Sequence, residues 1–172
     1  MAIIYRIIFI LCLLFSANTF AGKIVTVTSP DAKIKFRLSA DKDGLYYRIT
    51  YKGVLMIDKS RLNISFKEGG SFNNSLSISS ANSERITEDY NLVIGKTSKV
   101  HSESNRIIVP VREQTGAKRQ LNIEVRAFND GVAFRYVIPR QTQWADMVNI
   151  TDETDSFNLT QNPMVTALLR EN

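Results

Sequence analysis

The amino-acid sequence predicts an all-β domain, either a sandwich or a barrel of antiparallel strands. Apolar residues alternate with polar ones along most of the chain, as in the segment Lys33-Ile34-Lys35-Phe36-Arg37-Leu38. A period of two residues is that of a strand with one buried face. Such segments recur at intervals of ~8 to 12 residues, separated by Gly and Asx turns, a spacing typical of sandwiches and barrels.

The first half of the domain reads as a meander of hairpins. Asp43-Gly44 and Lys52-Gly53 favour tight turns, because glycine readily adopts positive φ. The first predicted strands are 24–27, 33–38, 45–51, 54–57 and 61–66.

The second half contains the clearest hairpin signal, Asn129-Asp130-Gly131. The later predicted strands are 76–78, 92–94, 106–111, 120–128 and 132–138, and the polar stretch up to residue 89 is compatible with a loop or an edge strand. Pro110 has no N–H to donate to a ladder, so its strand is predicted to be an edge strand or to carry a bulge. Residues 164–170 fit a helical turn, a strand, or a segment that needs a neighbour.

Residues 1–21 have the pattern of a secretory signal peptide. Arg6 supplies the positive charge, residues 7–15 the apolar region, and Thr19-Phe20-Ala21 a small-x-small cleavage site. The apolar run is shorter than the ~20 residues that span a bilayer. We therefore expect an exported, periplasmic protein with no membrane association after cleavage, and a mature domain of residues 22–172.

The mature domain contains no cysteine, since Cys12 is the one cysteine of the chain. An exported domain without disulfides depends on its core, and about 150 residues suffice for one compact domain. The formal net charge is +5, but the basic residues are scattered. Lys33, Lys35 and Arg37 alternate as a solvent face, and Lys118-Arg119 falls in a turn, which indicates a solvated surface rather than a nucleic-acid site.

The residues needed for common catalytic and metal sites are missing from the sequence. His101 is the one histidine and falls in a predicted polar loop, so neither a Ser or Cys triad nor a zinc site is expected. The Glu68-Gly69-Gly70 stretch lacks the Lys-Ser/Thr of a phosphate-binding loop. The sequence thus predicts no catalytic residue, no cofactor site and no metal site.

A few residues remain as candidate contacts. Asp152, Glu153 and Asp155 form a dense acidic cluster, which favours a solvated loop capping the domain but leaves Asp152 and Glu153 open as sugar, metal or interface contacts. Trp144 lies in a polar connection, 141–146, and is the best candidate for stacking on a sugar ring. Aromatic residues within strands are predicted to pack in the core.

The segment from Arg126 to Tyr136 resembles a known pattern. It is similar to the R-x-[FY]-[DN]-D-G-[VI]-AFRY motif near the end of the N-terminal domain of glycoside hydrolase family 97, which includes Bacteroidetes α-glucosidases and α-galactosidases. The other similar pieces, in the same order, are Ser29-Pro30-Asp31 with Lys33-Ile34, Leu45-Tyr46-Tyr47 through Tyr51-Lys52-Gly53, Ser60-Arg61-Leu62, and Ile150 to Glu153 with Phe157 to Leu159. Asn63 departs from this family pattern, which has glycine there.

The resemblance implies a super-sandwich of the galactose-mutarotase-like kind, packed against a (β/α)₈ barrel that carries the catalytic carboxylates in cis. It implies a non-catalytic accessory domain of an α-glycosidase that handles α-linked oligosaccharides, present here as a truncated or split product. Calcium is expected only in a full-length member, and no ligand is assigned to Glu171. Within the motif, Arg126 and Arg135 are predicted to meet a carboxylate or a carbonyl across the hairpin.

Two alternatives remain open from the sequence. A free-standing glycan-binding module would use Trp144 as its stacking platform. A structural interaction domain would bind only protein, and would show an exposed apolar patch.

Overall fold

The computed structural model describes residues 23–73, 75–93, 98–142, 144, 147–162 and 164. These residues form thirteen strands and no helix, which confirms the predicted all-β class. The strands are β1 Ile24–Thr28, β2 Ile34–Asp41, β3 Gly44–Tyr51, β4 Val54–Leu62, β5 Ile64–Phe66, β6 Gly70–Ser71, β7 Leu76–Ile78, β8 Glu84–Asn91, β9 Lys99–Glu113, β10 Gln120–Phe128, β11 Val132–Val137, β12 Ile150–Glu153 and β13 Asn158–Leu159. The predicted signal peptide and residues 165–170 lie outside the described residues.

Three antiparallel sheets are built from these strands. Sheet one has the order β1-β2-β3-β4-β13, and sheet two the order β11-β10-β9-β7 with β8 also paired to β9. Sheet three is small, with the order β12-β5-β6. Asn63 is the single residue between β4 and β5, so the chain passes from sheet one to sheet three at that point.

The core lies between sheets one and two and confirms the period of two. On β2, Phe36 and Leu38 are buried while Arg37 between them is exposed. On β9 of sheet two, Val109 and Val111 are fully buried. Phe36 stacks on Tyr47 of β3 with ring centroids 5.5 Å apart, so aromatic and branched side chains fill the interlayer space.

The predicted hairpin turns are also confirmed. Asp41 pairs with Gly44 across the first turn, where Gly44 has φ of 146°. Lys52 and Gly53 both have positive φ, 48° and 82°, the combination of a type I′ turn. Asn129-Asp130 joins β10 to β11, and the Phe128 N–H donates to the Gly131 carbonyl at 2.8 Å.

The prediction of a strand at 92–94 was wrong for Leu92 and Val93. The strand is β8, Glu84–Asn91, and Leu92 and Val93 follow its end, while Ile94 lies outside the described residues. Nearly all of β8 is exposed, so no apolar face marks it in the sequence. His101, expected in a loop, lies on its partner β9, which begins at Lys99.

Pro110 also lies in a different setting from the one expected. Its strand β9 is internal, with β10 on one side and both β7 and β8 on the other. Residues 99–106 of β9 pair with β8, and residues 111–113 pair with β7. Pro110 lies in the stretch between them, which pairs with neither β7 nor β8. Its carbonyl accepts from Ser79 N–H at 3.0 Å on that side. In an antiparallel strand the N–H and C=O of one residue point the same way, so the missing donor faces the gap between β7 and β8.

Arg119 is the largest departure from the expected solvated surface. Lys118 is exposed in the turn, but Arg119 is 2% exposed. Its guanidinium forms a bidentate pair with the buried Glu113 carboxylate, at 2.6 and 2.8 Å. It also donates to the carbonyls of Gly70 and Ser71 at 3.2 and 3.0 Å. The side chain therefore joins sheet three to the β9–β10 turn.

Replacing this arginine is expected to destabilise the domain strongly. In Arg119→Ala, Glu113 is left buried without its cation, and breaking a buried pair costs about 3–5 kcal/mol. The exposed pair Arg85–Glu103 provides the control, because Arg85→Ala is expected to cost about 0–1 kcal/mol. Urea unfolding measures both. Equal free energies of unfolding for the two variants would contradict the structural role of Arg119.

Candidate functional site

Trp144 is anchored to the core rather than fully displayed. Its ring is half buried and meets Phe66 edge to face, with centroids 4.5 Å apart. The Arg119 guanidinium lies 5.5 Å from the same ring, and the buried Nε1 has no hydrogen-bond partner among the described residues. One side of the ring borders a groove with Arg140 and Gln141. Contact between Trp144 and sugar stays a prediction.

The acidic segment splits into two environments. Asp152 and Glu153 lie on β12 and are exposed. Desolvation, and then the neighbouring Asp155, raise the pKa of Glu153. The carboxylate of Asp155 is half buried and accepts from Tyr136 Oη at 2.6 Å and from Asn63 N at 2.9 Å. Asp155 is thus a structural tie rather than part of a solvated loop.

Tyr136, on β11, supplies the hydroxyl group that donates to Asp155. Burial raises the pKa of its phenol, and the hydrogen bond to Asp155 raises it further. The phenol therefore stays protonated and acts as a donor to the carboxylate. This contact fastens the edge strand of sheet two to the point where β4 passes into β5.

Asn63, which replaces the glycine of the family pattern, fits this junction. Its side-chain amide donates to Thr154 Oγ1 at 2.7 Å, and its carbonyl accepts from Thr154 N at 2.9 Å. These two bonds tie Asn63 to Thr154, while its buried Oδ1 has no hydrogen-bond partner among the described residues.

The predicted contact residues are not joined to one another by a direct contact in the part of the chain that the structure describes. Within the described ranges, no hydrogen bond or ring contact joins Trp144 to Asp152 or Glu153. In the same part of the chain, no group of three or more His, Cys, Asp and Glu side chains is placed to hold a metal ion. Calcium binding by a full-length member stays a prediction.

The two most specific motifs meet at one end of the sandwich. Asn129 Oδ1 accepts from the backbone N–H of Asp31 at 3.0 Å, which ties the β10–β11 turn to the Ser29-Pro30-Asp31 turn. The Asp31 carboxylate accepts from the Ser29 hydroxyl at 2.6 Å and pairs with Lys33 at 2.9 Å. These bonds lower the pKa of Asp31 to about 2, and the bond from Ser29 is the largest single cause. The position of the Asn129-Asp130 turn is therefore fixed.

Two grooves flank this turn, and both have Asn129 and Asp130 in their walls. The Tyr51 groove, with a volume of about 620 Å³, lies toward sheet one and is mostly apolar; its other walls are Ile34, Ile49, Tyr51, Met56, Ile57, Gly131 and Val132. The Tyr90 groove, with a volume of about 590 Å³, lies toward the β8–β9 ribbon; its other walls are Tyr90, Val100, His101, Ser102, Glu103 and Phe128. Sequence reasoning did not identify either groove.

Both motif arginines form ion pairs between strands. The pair of Arg135 crosses the hairpin as predicted, whereas Arg126 reaches past β9 to a carboxylate on β8. Arg135 pairs with Glu124, its direct partner on β10, at 2.7 Å. Arg126 reaches Glu88 on β8 at 2.7 Å and Ser104 Oγ at 3.1 Å. Both contacts lie on the outer face of sheet two and hold its strands together.

Comparison with known proteins agrees with this fold and these motifs. The family model for the glycosyl-hydrolase 97 N-terminal domain matches residues 27–171. The retaining α-galactosidase of Bacteroides thetaiotaomicron is 24% identical over 143 residues, covering 83% of this chain and 20% of the relative. A probable retaining α-galactosidase of Streptomyces bingchenggensis is 26% identical over 138 residues, covering 78% and 20%.

A solved structure gives the same result. A glycoside hydrolase family 97 enzyme from Pseudoalteromonas sp. strain K8, in complex with panose, superposes with a TM-score of 0.71 and 27% identity. The match covers 78% of this chain and 20% of that enzyme. The chain therefore spans about a fifth of the length of the relatives it matches.

The fold is thus the antiparallel β-sandwich found as the N-terminal domain of glycoside hydrolases. The chain belongs to the glycosyl-hydrolase 97 N-terminal family.

The hydrogen bonds of the Asp31 turn predict a pH dependence. Because the folded pKa of Asp31, about 2, lies below its ordinary value of 3.8, the turn is stabilised above the ordinary value and loses this stabilisation as pH falls toward 2. An NMR titration of the Asp31 carboxyl carbon should give a midpoint of about 2. Ser29→Ala and Lys33→Met should each raise this midpoint, since the Ser29 bond is the largest single cause and the Lys33 ammonium supplies both a bond and a charge. A midpoint near 3.8 in the unmodified chain would contradict the turn geometry.

Proposed function

We propose that this chain is the non-catalytic N-terminal domain of an exported family 97 α-glycosidase. It handles α-linked oligosaccharides together with a (β/α)₈ catalytic domain in cis. The observation that carries the proposal is the match of residues 27–171 to a domain that makes up about a fifth of its glycosidase relatives. Panose, bound to the Pseudoalteromonas enzyme, indicates the class of sugar.

The chemistry of the described residues supports a non-catalytic role. His101 pairs through Nδ1 with Asp89 at 2.7 Å on an exposed ribbon. Among the described residues no hydrogen bond joins the His101 ring to a serine or threonine hydroxyl that it could activate. The most buried carboxylates, Glu113 and Glu124, are paired with arginines.

An uncovered apolar surface supports docking of a second domain. At the edge of the sandwich formed by β4, β13 and β11, the described residues cover the inner faces of both sheets incompletely. Phe157 contacts Tyr47 of the core, yet is 59% exposed, and Leu159, opposite Ile57, is 48% exposed. With Met56 and the Tyr51 groove, they form what we call the open side.

The open side differs from the opposite edge of sheet two. There the edge strand β8 has many charged side chains, among them Glu84, Arg85 and Glu88. Charged side chains on an edge strand disfavour pairing with a strand of another molecule. On β11, by contrast, the inner residues Phe134 and Tyr136 are only half buried, whereas Val125 on the neighbouring strand is completely buried. The sheet thus has one protected edge and one edge suited to further packing.

The exposed patch also accords with the structural interaction domain considered from the sequence. The free-standing glycan module has less support, because the Trp144 ring on which it depends is partly committed to Phe66. Among the described residues no helix has the length and hydropathy needed to cross a membrane.

Docking predicts a selective effect of charge on the open side. In Leu159→Asp, a carboxylate enters an apolar contact surface, where its desolvation is unfavourable. The test partner is the catalytic domain of the Pseudoalteromonas enzyme, prepared without the N-terminal domain of that enzyme. The affinity of the Leu159→Asp variant for this partner should be about tenfold or more below that of the unmodified chain. Ile24→Asp is the matched control, because Ile24 is 61% exposed on the distant strand β1. Analytical ultracentrifugation measures both affinities.

The unmodified chain should form a one-to-one complex with that catalytic domain, and should not hydrolyse panose alone. Equal losses of affinity in the two variants would refute docking by the open side. Hydrolysis of panose by the purified chain would refute the non-catalytic role.

A further inference from the structure

The ribbon formed by β8 and β9 continues beyond the end of β10. Residues 99–103 of β9 pair with β8 only, because β10 ends at Phe128, opposite Ser104, in the described structure. The Asn129-Asp130 turn borders the notch left beside the ribbon. This notch is the Tyr90 groove, with a volume of about 590 Å³.

The backbone of β9 supplies hydrogen-bonding groups to this groove. Leu92 N–H donates to the Ser98 carbonyl at 2.9 Å, so alternate residues from Ser98 onward direct their backbone groups toward β8. His101 and Glu103 therefore turn their N–H and C=O groups the other way, into the groove. Lys99 turns its backbone groups the same way, and His101 and Glu103 are the two of these three residues that line the groove.

Aromatic rings lie at the two ends of the groove. Tyr90 is 48% exposed, and Phe128 is half buried with the Arg126 guanidinium 5.2 Å from its ring centroid. From the strand register, the two positions are separated by about 13 Å along the strands and about 10 Å across them. The groove is thus elongated, and its walls combine two aromatic rings with mostly polar side chains and backbone groups.

The charges at the groove disfavour an anionic ligand. Glu103 and Asp130 both line it, and His101, which also lines it, is paired with Asp89. Carboxylates, the Ser102 hydroxyl and backbone groups together suit a ligand with many hydroxyls and no charge. Such a ligand also has apolar ring faces for the exposed tyrosine.

We propose that the Tyr90 groove binds a neutral oligosaccharide. Tyr90 stacks on a sugar ring, while Asp130 and the backbone of His101 and Glu103 hydrogen-bond its hydroxyls. Because the groove shares Asn129 and Asp130 with the Tyr51 groove of the open side, a bound sugar is held next to the surface where the catalytic domain docks. The proposal rests on the proposed function only for the choice of α-linked sugar.

Titration of the full chain with panose, followed by ¹H–¹⁵N NMR, tests this site. We expect saturable shifts of the His101 and Glu103 amides. Tyr90→Ala should weaken affinity about tenfold, through loss of the stacking surface, and Tyr90→Phe should retain most of it. Tyr51→Ala is the matched control, because Tyr51 is 40% exposed in the other groove, and it should change affinity by less than about twofold.

Three results would overturn the proposal: no saturable binding of panose, binding without shifts at His101 and Glu103, or equal losses in Tyr90→Ala and Tyr51→Ala. Tyr90→Ala should leave the affinity for the catalytic domain unchanged. A failure of sugar binding with docking intact would therefore remove the groove and leave the proposed function standing.

Discussion

The buried pair of Arg119 and Glu113 connects parts of the molecule that no continuous sheet joins. Glu113 ends β9 of sheet two, whereas the carbonyls that accept from Arg119 belong to the β5–β6 hairpin of sheet three. The guanidinium also lies 5.7 Å from the Phe66 ring. Because a buried guanidinium must satisfy all its donors, the pair fixes one relative placement of the two sheets and supports the ring of Trp144.

The sequence was sufficient to predict a strand or turn wherever that element had a local pattern of its own, such as an apolar face or a turn glycine. Strands such as β2 and β10 have one apolar face, and turns such as Lys52-Gly53 have the residues their φ values need. The signal was ambiguous for β8, whose sequence is compatible with either a loop or an edge strand, because this edge strand is exposed along most of its length. It failed for Arg119, because its partners at Glu68 to Ser71 lie about fifty residues away along the chain.

The candidate site was less predictable than the fold for the same reason. The family motif around Asn129-Asp130 could be recognised in the sequence, but its position could not, since this depends on the distant Asp31. Each groove combines that turn with strands far away in sequence. Trp144 and the acidic segment stood out by composition, a signal that does not reveal packing against Phe66 or the bond from Tyr136 to Asp155.

These features describe a domain with a well-packed core, a fixed turn between two grooves, and one apolar side suited to a larger partner. The central claim is that the catalytic residues lie in a barrel encoded with this domain. Sequencing the DNA directly downstream of the codon for Asn172 tests it most directly. The account predicts a frame encoding a (β/α)₈ barrel, intact or interrupted, within a short distance. Downstream DNA without any such frame would contradict it.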